Sequence, residues 1–141
     1  MRIRRRTIAP RVAQQFFLDG AFNGDGGSSY MKFNNGTTMS ATSGYVMPRS
    51  GSLIGASFLG LYNTQVLGST NNYHVRVNGV TAINISLTDA SGFWHTEFTQ
   101  DSNIDTFVQN DVITMFHAQG EGNTIFTKMV TLALILLDSS G

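Results

Sequence analysis

The chain has 141 residues and no net charge, with 41% hydrophobic and only 13% charged residues; the apolar share is ordinary for one globular domain with an adequate core, and the charged share is about half the usual one. The absence of cysteine excludes disulfides, thiol catalysis and thiolate metal sites. Fifteen glycines and ten phenylalanines, with abundant Asn, Ser and Thr, exclude a helical bundle or a disordered chain and point to a turn-rich β protein.

Charge is unevenly placed. Residues 1–11 hold Arg2, Arg4, Arg5, Arg6 and Arg11 and no acid, whereas the rest holds Lys32, Arg49, Arg76 and Lys128 against nine acids, a net of −5. A basic arm of this kind docks on an acidic protein surface, neutralises phosphates, or frays in solvent. It has no interleaved aromatics and no basic patch elsewhere to support it, which weighs against nucleic acid. The arginines are not followed by an apolar core segment, so no secretory leader is expected. Pro10 to Leu18 is compatible with a short helix, with Val12 and Phe16 on one side and Gly20 as its stop, and equally with an extended arm ending in Phe16-Phe17-Leu18. Residues 19–29 read as a Gly-rich loop. Asp19, Asn23 and Asp25 lack the spacing and closing Glu of an EF-hand, and Asx-Gly turns explain them.

Strand signals begin at Tyr30. Tyr30 to Phe33 leads to the hairpin turn Asn35-Gly36, and Thr37 to Ala41 follows. Pro48 cannot donate to a ladder and belongs at an edge or between strands. Leu53 to Tyr62 is a long apolar strand. Tyr73, Val75 and Val77 alternate with His74, Arg76 and Asn78, which predicts a half-exposed strand turning at Asn78-Gly79 into a partner carrying Ile83, Ile85 and Leu87. Phe93 to Phe98 and Val112 to Ala118 are further strands. About eight strands, with turn signals every 8–12 residues, predict an all-β fold: an antiparallel β-sandwich or jelly roll over residues 30–141, preceded by an arm and linker over 1–29.

The last strand, Ile125 to Leu137, is unusual. Its apolar run is too short to span a bilayer as a helix, which takes about 20 residues, so no membrane partner is expected. As a strand, it points Val130, Leu132, Leu134 and Leu136 to one face and Met129, Ala133, Ile135 and Leu137 to the other. A sandwich strand needs only one apolar face, so the second predicts a partner, and a second copy of the chain is the economical one.

The segments Gly44-Tyr45-Val46-Met47-Pro48-Arg49-Ser50-Gly51-Ser52-Leu53-Ile54-Gly55, Val75-Arg76-Val77-Asn78-Gly79 and Phe107-Val108-Gln109-Asn110-Asp111-Val112-Ile113, followed by the apolar final strand, resemble the C1q/TNF-like trimeric jelly-roll heads of phage virion proteins. Capsid decoration proteins, head fibres and tail-fibre tips belong to this group. The resemblance covers about residues 40–138, and Tyr-x-Met-Pro-Arg is its most distinctive part. It implies a homotrimer with the C-terminal strands near the axis, here drawn from Val130, Leu132, Leu134, Leu136, Met129 and Ile135. It also implies an N-terminal segment, here Arg2, Arg4, Arg5, Arg6, Arg11, Phe16 and Phe17, that anchors the trimer to the major capsid protein or another virion protein.

Chemistry-bearing motifs are sparse. His74, His95 and His117 lack metal-ligand spacing. No Gly-x-Ser-x-Gly elbow, phosphate loop or dinucleotide fingerprint is present. Glu97, Asp101 and Asp105 form the one acidic cluster that an enzyme would need, and it reads as a solvated loop. The expectation is therefore a structural virion protein, not an enzyme, without cofactor or metal. The alternative is a receptor-binding head of a phage tail fibre, reading a glycan or host surface through loops 63–72 and 89–105, with Trp94 as the candidate recognition residue. Arg49 and Arg76 are candidates for pairing with acids across a subunit interface.

Overall fold

The computed structural model describes residues 14–23, 28–64, 68–88, 93–120 and 124–136. Ten strands run through them: β1 (Gln14–Asn23), β2 (Ser29–Tyr30), β3 (Tyr45–Val46), β4 (Gly51–Thr64), β5 (Thr70–Val77), β6 (Val80–Thr88), β7 (Phe93–Thr99), β8 (Asp105–Phe107), β9 (Val112–Ala118) and β10 (Thr124–Leu136). They form two antiparallel sheets. The first has the order β1-β10-β4-β7, with β8 following β7 along the same side of β4; the second has the order β2-β9-β5-β6, with β3 following β2 along β9. The all-β sandwich expected from turn spacing is the observed architecture.

The period-two pattern of each strand decides which side faces the core. Val130, Leu132, Leu134 and Leu136 of β10 and Leu53, Ala56 and Phe58 of β4 are buried against Tyr73, Val75, Ile83, Ile113 and Met115 of the second sheet. Fully burying an aliphatic side chain of this kind contributes about 1.5–3 kcal/mol. The segment between β2 and β4 has little regular pairing, and it fills the core with Met31, Met39 and Met47. Methionine suits such irregular gaps because it is unbranched and flexible.

The sandwich begins earlier than residue 30. The expected arm and linker over 1–29 includes β1, which pairs with β10 from Gln14↔Leu136 to Asn23↔Thr127. The physical reason is that β10 offers a full-length ladder for this stretch and the core takes the apolar residues on one of its faces. Leu18, Gly20 and Phe22 fall on the core side, and Gly20 is a glycine because a Cβ there would lie 2.6 Å from Met115 Sδ. Of the two conformations left open for Pro10 to Leu18, the extended one is observed from Gln14 on. Residues 1–13, with Arg2, Arg4, Arg5, Arg6 and Arg11, lie outside the described residues.

Both expected hairpin turns are present. Gly36 has φ +85° beside the Lys32↔Thr38 bridge. Asn78 and Gly79 have φ 51° and 80°, the paired left-handed residues of a type I′ turn joining β5 to β6. The second turn is tied to β9: Asn78 Nδ2 donates to Asp111 Oδ1 at 2.8 Å, and the Val108 N–H donates to Asp111 Oδ2 at 2.8 Å. These bonds, the one from Val108 first, hold the Asp111 carboxyl below its ordinary range. Its contribution to stability is therefore present above the unfolded value of about 3.9 and is lost as pH falls through the lower folded value. Acid denaturation followed by circular dichroism should show a shallower fall of the urea midpoint below pH 4 in Asp111→Asn than in the parent chain; identical acid limbs would refute this linkage.

Candidate functional site

The side of the first sheet that faces away from the core is the most distinctive surface. Register places its side chains in rows. Asp19, Thr131, Ser57 and Glu97 form one row, Phe17, Ala133, Gly55 and Thr99 the next, and Gln15 and Ile135 lie beyond. On the other side are Ala21, Leu59 and His95, then Leu61. Thr131, Ala133, Ile135 and Leu59 at the centre are half-buried, and Phe17 and Leu61 are exposed. Acids stand only on the edge strands, as Asp19 and Glu97, and among the described residues no Lys or Arg belongs to these rows. Small side chains leave a shallow depression of about 250 Å³ between β4, β7 and β10, lined by Ser57, Leu59, His95, Glu97 and Thr131.

At the β1 edge a second feature opens, an apolar cleft of about 280 Å³ between β1 and residues 45–49. Phe16, Leu18, Met47, Pro48, Leu134 and Leu136 line it. Two polar bonds pin its walls together. The Tyr45 hydroxyl donates to the Asp19 carbonyl at 2.6 Å, and Arg49 Nη2 donates to Gln14 Oε1 at 2.7 Å. Partial burial, with the Asp19 charge nearby, raises the Tyr45 pKa, which keeps its hydroxyl proton in place for that bond. The Tyr-x-Met-Pro-Arg motif thus clamps the edge strand of one sheet to the connection leading out of the other.

The outer face of the second sheet is different in kind. It is polar and hydrogen-bonded to itself: Thr70 Oγ1 lies 2.7 Å from Thr88 Oγ1, and the Ser86 hydroxyl bonds Asn72 Oδ1 across β5 and β6. Arg76 lies over the Phe116 ring at 4.1 Å and donates to the Tyr30 hydroxyl at 2.9 Å. Burial, and then the Arg76 charge, push the His74 pKa down from its ordinary value.

The sequence-predicted site residues distribute unevenly over these surfaces. Val130, Leu132, Leu134 and Leu136 belong to the chain's own core, each at most 4% exposed, and cannot meet a second copy; alternation turns them inward. Ile135 is on the opposite face. Met129 pairs through its backbone with Ala21 and Leu59, and its side chain lies outside the described residues. Phe16 borders the cleft, and Phe17 is 63% exposed on the outer face of the first sheet. The Trp94 backbone pairs with Gly60 in β7, while its side chain lies outside the described residues. His74, His95 and His117 are dispersed over β5, β7 and β9, and no metal-capable group of three occurs among the described residues. The acidic cluster is also dispersed: Glu97 is exposed on β7, Asp101 is exposed beyond it, and Asp105 Oδ2 accepts a bond of 2.9 Å from Gln100 Nε2.

Sequence reasoning missed the β1 edge clamp and the assembly of Tyr30, His74, Arg76 and Phe116. The signal for the second was the polar alternation of β5, which put His74 and Arg76 on one exposed face. Comparison of the chain with protein-family models and with curated proteins finds no match to either.

Tyr45→Phe removes one hydrogen bond between β1 and the second wall of the cleft. The expected cost is about 0.5–1.5 kcal/mol in urea unfolding, with faster amide exchange confined to the first half of β1. Unchanged exchange there would mean that β10 alone holds the strand.

Proposed function

We propose that this chain is a structural virion protein, a homotrimer that decorates a capsid or forms a head fibre and is anchored through its N-terminal segment. The observation that carries the self-association is the contrast between the two outward faces. The first sheet presents small and apolar side chains (Thr131, Ala133, Ile135, Ser57, Leu59 and Leu61), with charge, among the described residues, only at its edges, while the second presents a self-bonded polar lattice. A covered interface has an apolar centre and a polar rim, and the first face has that layout. Asp19 and Glu97 supply the rim on the two edge strands.

The strand order supports the jelly-roll part of this reading. Leaving aside the short β3 and β8, every connection except the β5–β6 hairpin crosses between the sheets, the first and last strands pair, and the second pairs with the last but one. Such an order is what two nested Greek keys would produce. The virion role itself rests on the resemblance of residues 40–138 to phage trimeric heads. In that setting β10 lies nearest the three-fold axis, with Ile135 and Ala133 in the contact. A cyclic arrangement of three is closed, so each copy uses the same two complementary patches. Three anchoring arms on one body then raise capsid avidity without any new contact.

Light scattering on the purified chain should give a mass of three chains. Ile135→Arg places three like charges in the proposed contact and should yield monomers with unchanged circular dichroism. A parent chain that is itself monomeric would overturn the trimer. Deletion of residues 1–13 should leave the trimer intact and abolish capsid co-sedimentation; retained co-sedimentation would sink the anchoring role.

A further inference from the structure

Arg76 is half-buried on the outer face of the second sheet, and all its contacts are neutral. Its guanidinium stacks on Phe116 at 4.1 Å and lies 5.4 Å from the Tyr30 ring centre. Nη1 donates to the Tyr30 hydroxyl at 2.9 Å, and Nη2 lies 3.2 Å from His74 Nδ1. Nε is enclosed without a hydrogen-bond partner. Among the described residues Arg76 has no carboxylate partner, although acids outnumber bases in the body of the chain. Taking a cation partly out of water without a counter-charge is costly. Aromatic stacking offsets a part of that cost and leaves the charge in place.

We propose that the Arg76 guanidinium, framed by Tyr30, His74 and Phe116, is the seat of a carboxylate carried by an acidic saccharide. A guanidinium has five N–H donors in a planar fork that matches a carboxylate. Two of those donors are engaged by Tyr30 and His74 and one is enclosed, so Nη1 and Nη2 each retain a donor. The ring beneath and the bonds at either side hold the fork in one plane, which lowers the ordering cost of binding.

The surroundings select the rest of the ligand. Thr81, Asn84 and Ser86 of β6 are exposed beside His74 and Arg76, and they offer amides and hydroxyls at strand spacing without a further charge. Sugar hydroxyls match that surface. An acidic peptide would bring further carboxylates, and β5, β6 and β9 carry no Lys or Arg besides Arg76 to receive them. The site is on the sheet opposite the proposed subunit contact, so it does not depend on that reading.

The test is an NMR titration of the full chain, following the histidine imidazole resonances as galacturonate oligosaccharide or N-acetylneuraminic acid is added. The His74 signals should move and saturate at millimolar ligand, and the His74 pKa should rise, because a nearby anion favours the protonated ring. His95 and His117 should not respond. Arg76→Gln should weaken binding by about tenfold or more; should that variant fail to fold, the parent titration decides alone. A silent His74 with both acidic sugars would overturn the proposal. So would an equal response to a neutral galactose oligosaccharide, which removes the carboxylate. An equal response to sulfate would mean an adventitious ion only. Equal or tighter binding of oligoglutamate would assign the seat to a protein partner instead.

Discussion

The structure depends on β10 being hydrogen-bonded on both sides. It pairs with β1 along its N-terminal flank of the sheet and with β4 on the other, over nearly its whole length. A strand in that position satisfies most of its ladder groups within the sheet, which frees its sequence to be apolar on both faces. Its inward residues, Val130 to Leu136, then meet Tyr73, Met115 and Ile113 across the sandwich. Chain closure follows from the same pairing, which runs from Gln14↔Leu136 to Asn23↔Thr127.

That dependence explains the irregular region between the two sheets. Among the described residues β1 has no second strand beside it along most of its length, and bare edge groups invite unwanted pairing. The chain covers this edge piecemeal. Ala21 and Lys32 exchange backbone bonds at 3.0 and 2.7 Å, Tyr45 reaches the Asp19 carbonyl, and Arg49 reaches Gln14. Met31, Met39 and Met47 fill the space that this wandering path leaves beneath it. The cleft between β1 and residues 45–49 is the part that remains open.

The fold was legible where local chemistry decides it. Asn78-Gly79 supplies two left-handed residues at almost no cost, and the alternation from Tyr73 to Leu87 fixes the faces of β5 and β6 once the turn is placed. β10 was legible from its nearly unbroken apolar run, too short for a membrane span and apolar on both faces of a strand. β1 was not: its apolar residues run together as Phe16-Phe17-Leu18 and do not alternate, Gly20 imitates a helix stop, and the crowding that asks for a glycine comes from Met115 and Met31, outside the strand. The assignment of all the β10 leucines to a subunit contact failed because alternation separates the two faces without saying which is inward; the opposing sheet settles that. The Arg76 assembly was illegible in detail because Tyr30, Arg76 and Phe116 meet only when β2, β9 and β5 lie side by side.

The placement of charge ties these features together. A surface that is to be covered cannot carry an unpaired ion near its centre, because desolvating the ion costs more than the contact returns. The central strands of the first sheet, β4 and β10, put Ser57, Leu59, Thr131, Ala133 and Ile135 outward, and the acids stand on β1 and β7. The second sheet places Arg76 on its inner strand β5, over the Phe116 and Tyr30 rings and beside a histidine whose pKa is pushed down by burial and by that same charge. A lone cation so placed is tolerable on a face that stays in contact with water or with a soluble anion. The two sheets therefore carry opposite solutions to one electrostatic constraint, and the proposed subunit contact and the proposed carboxylate seat fall on the faces that this constraint allows.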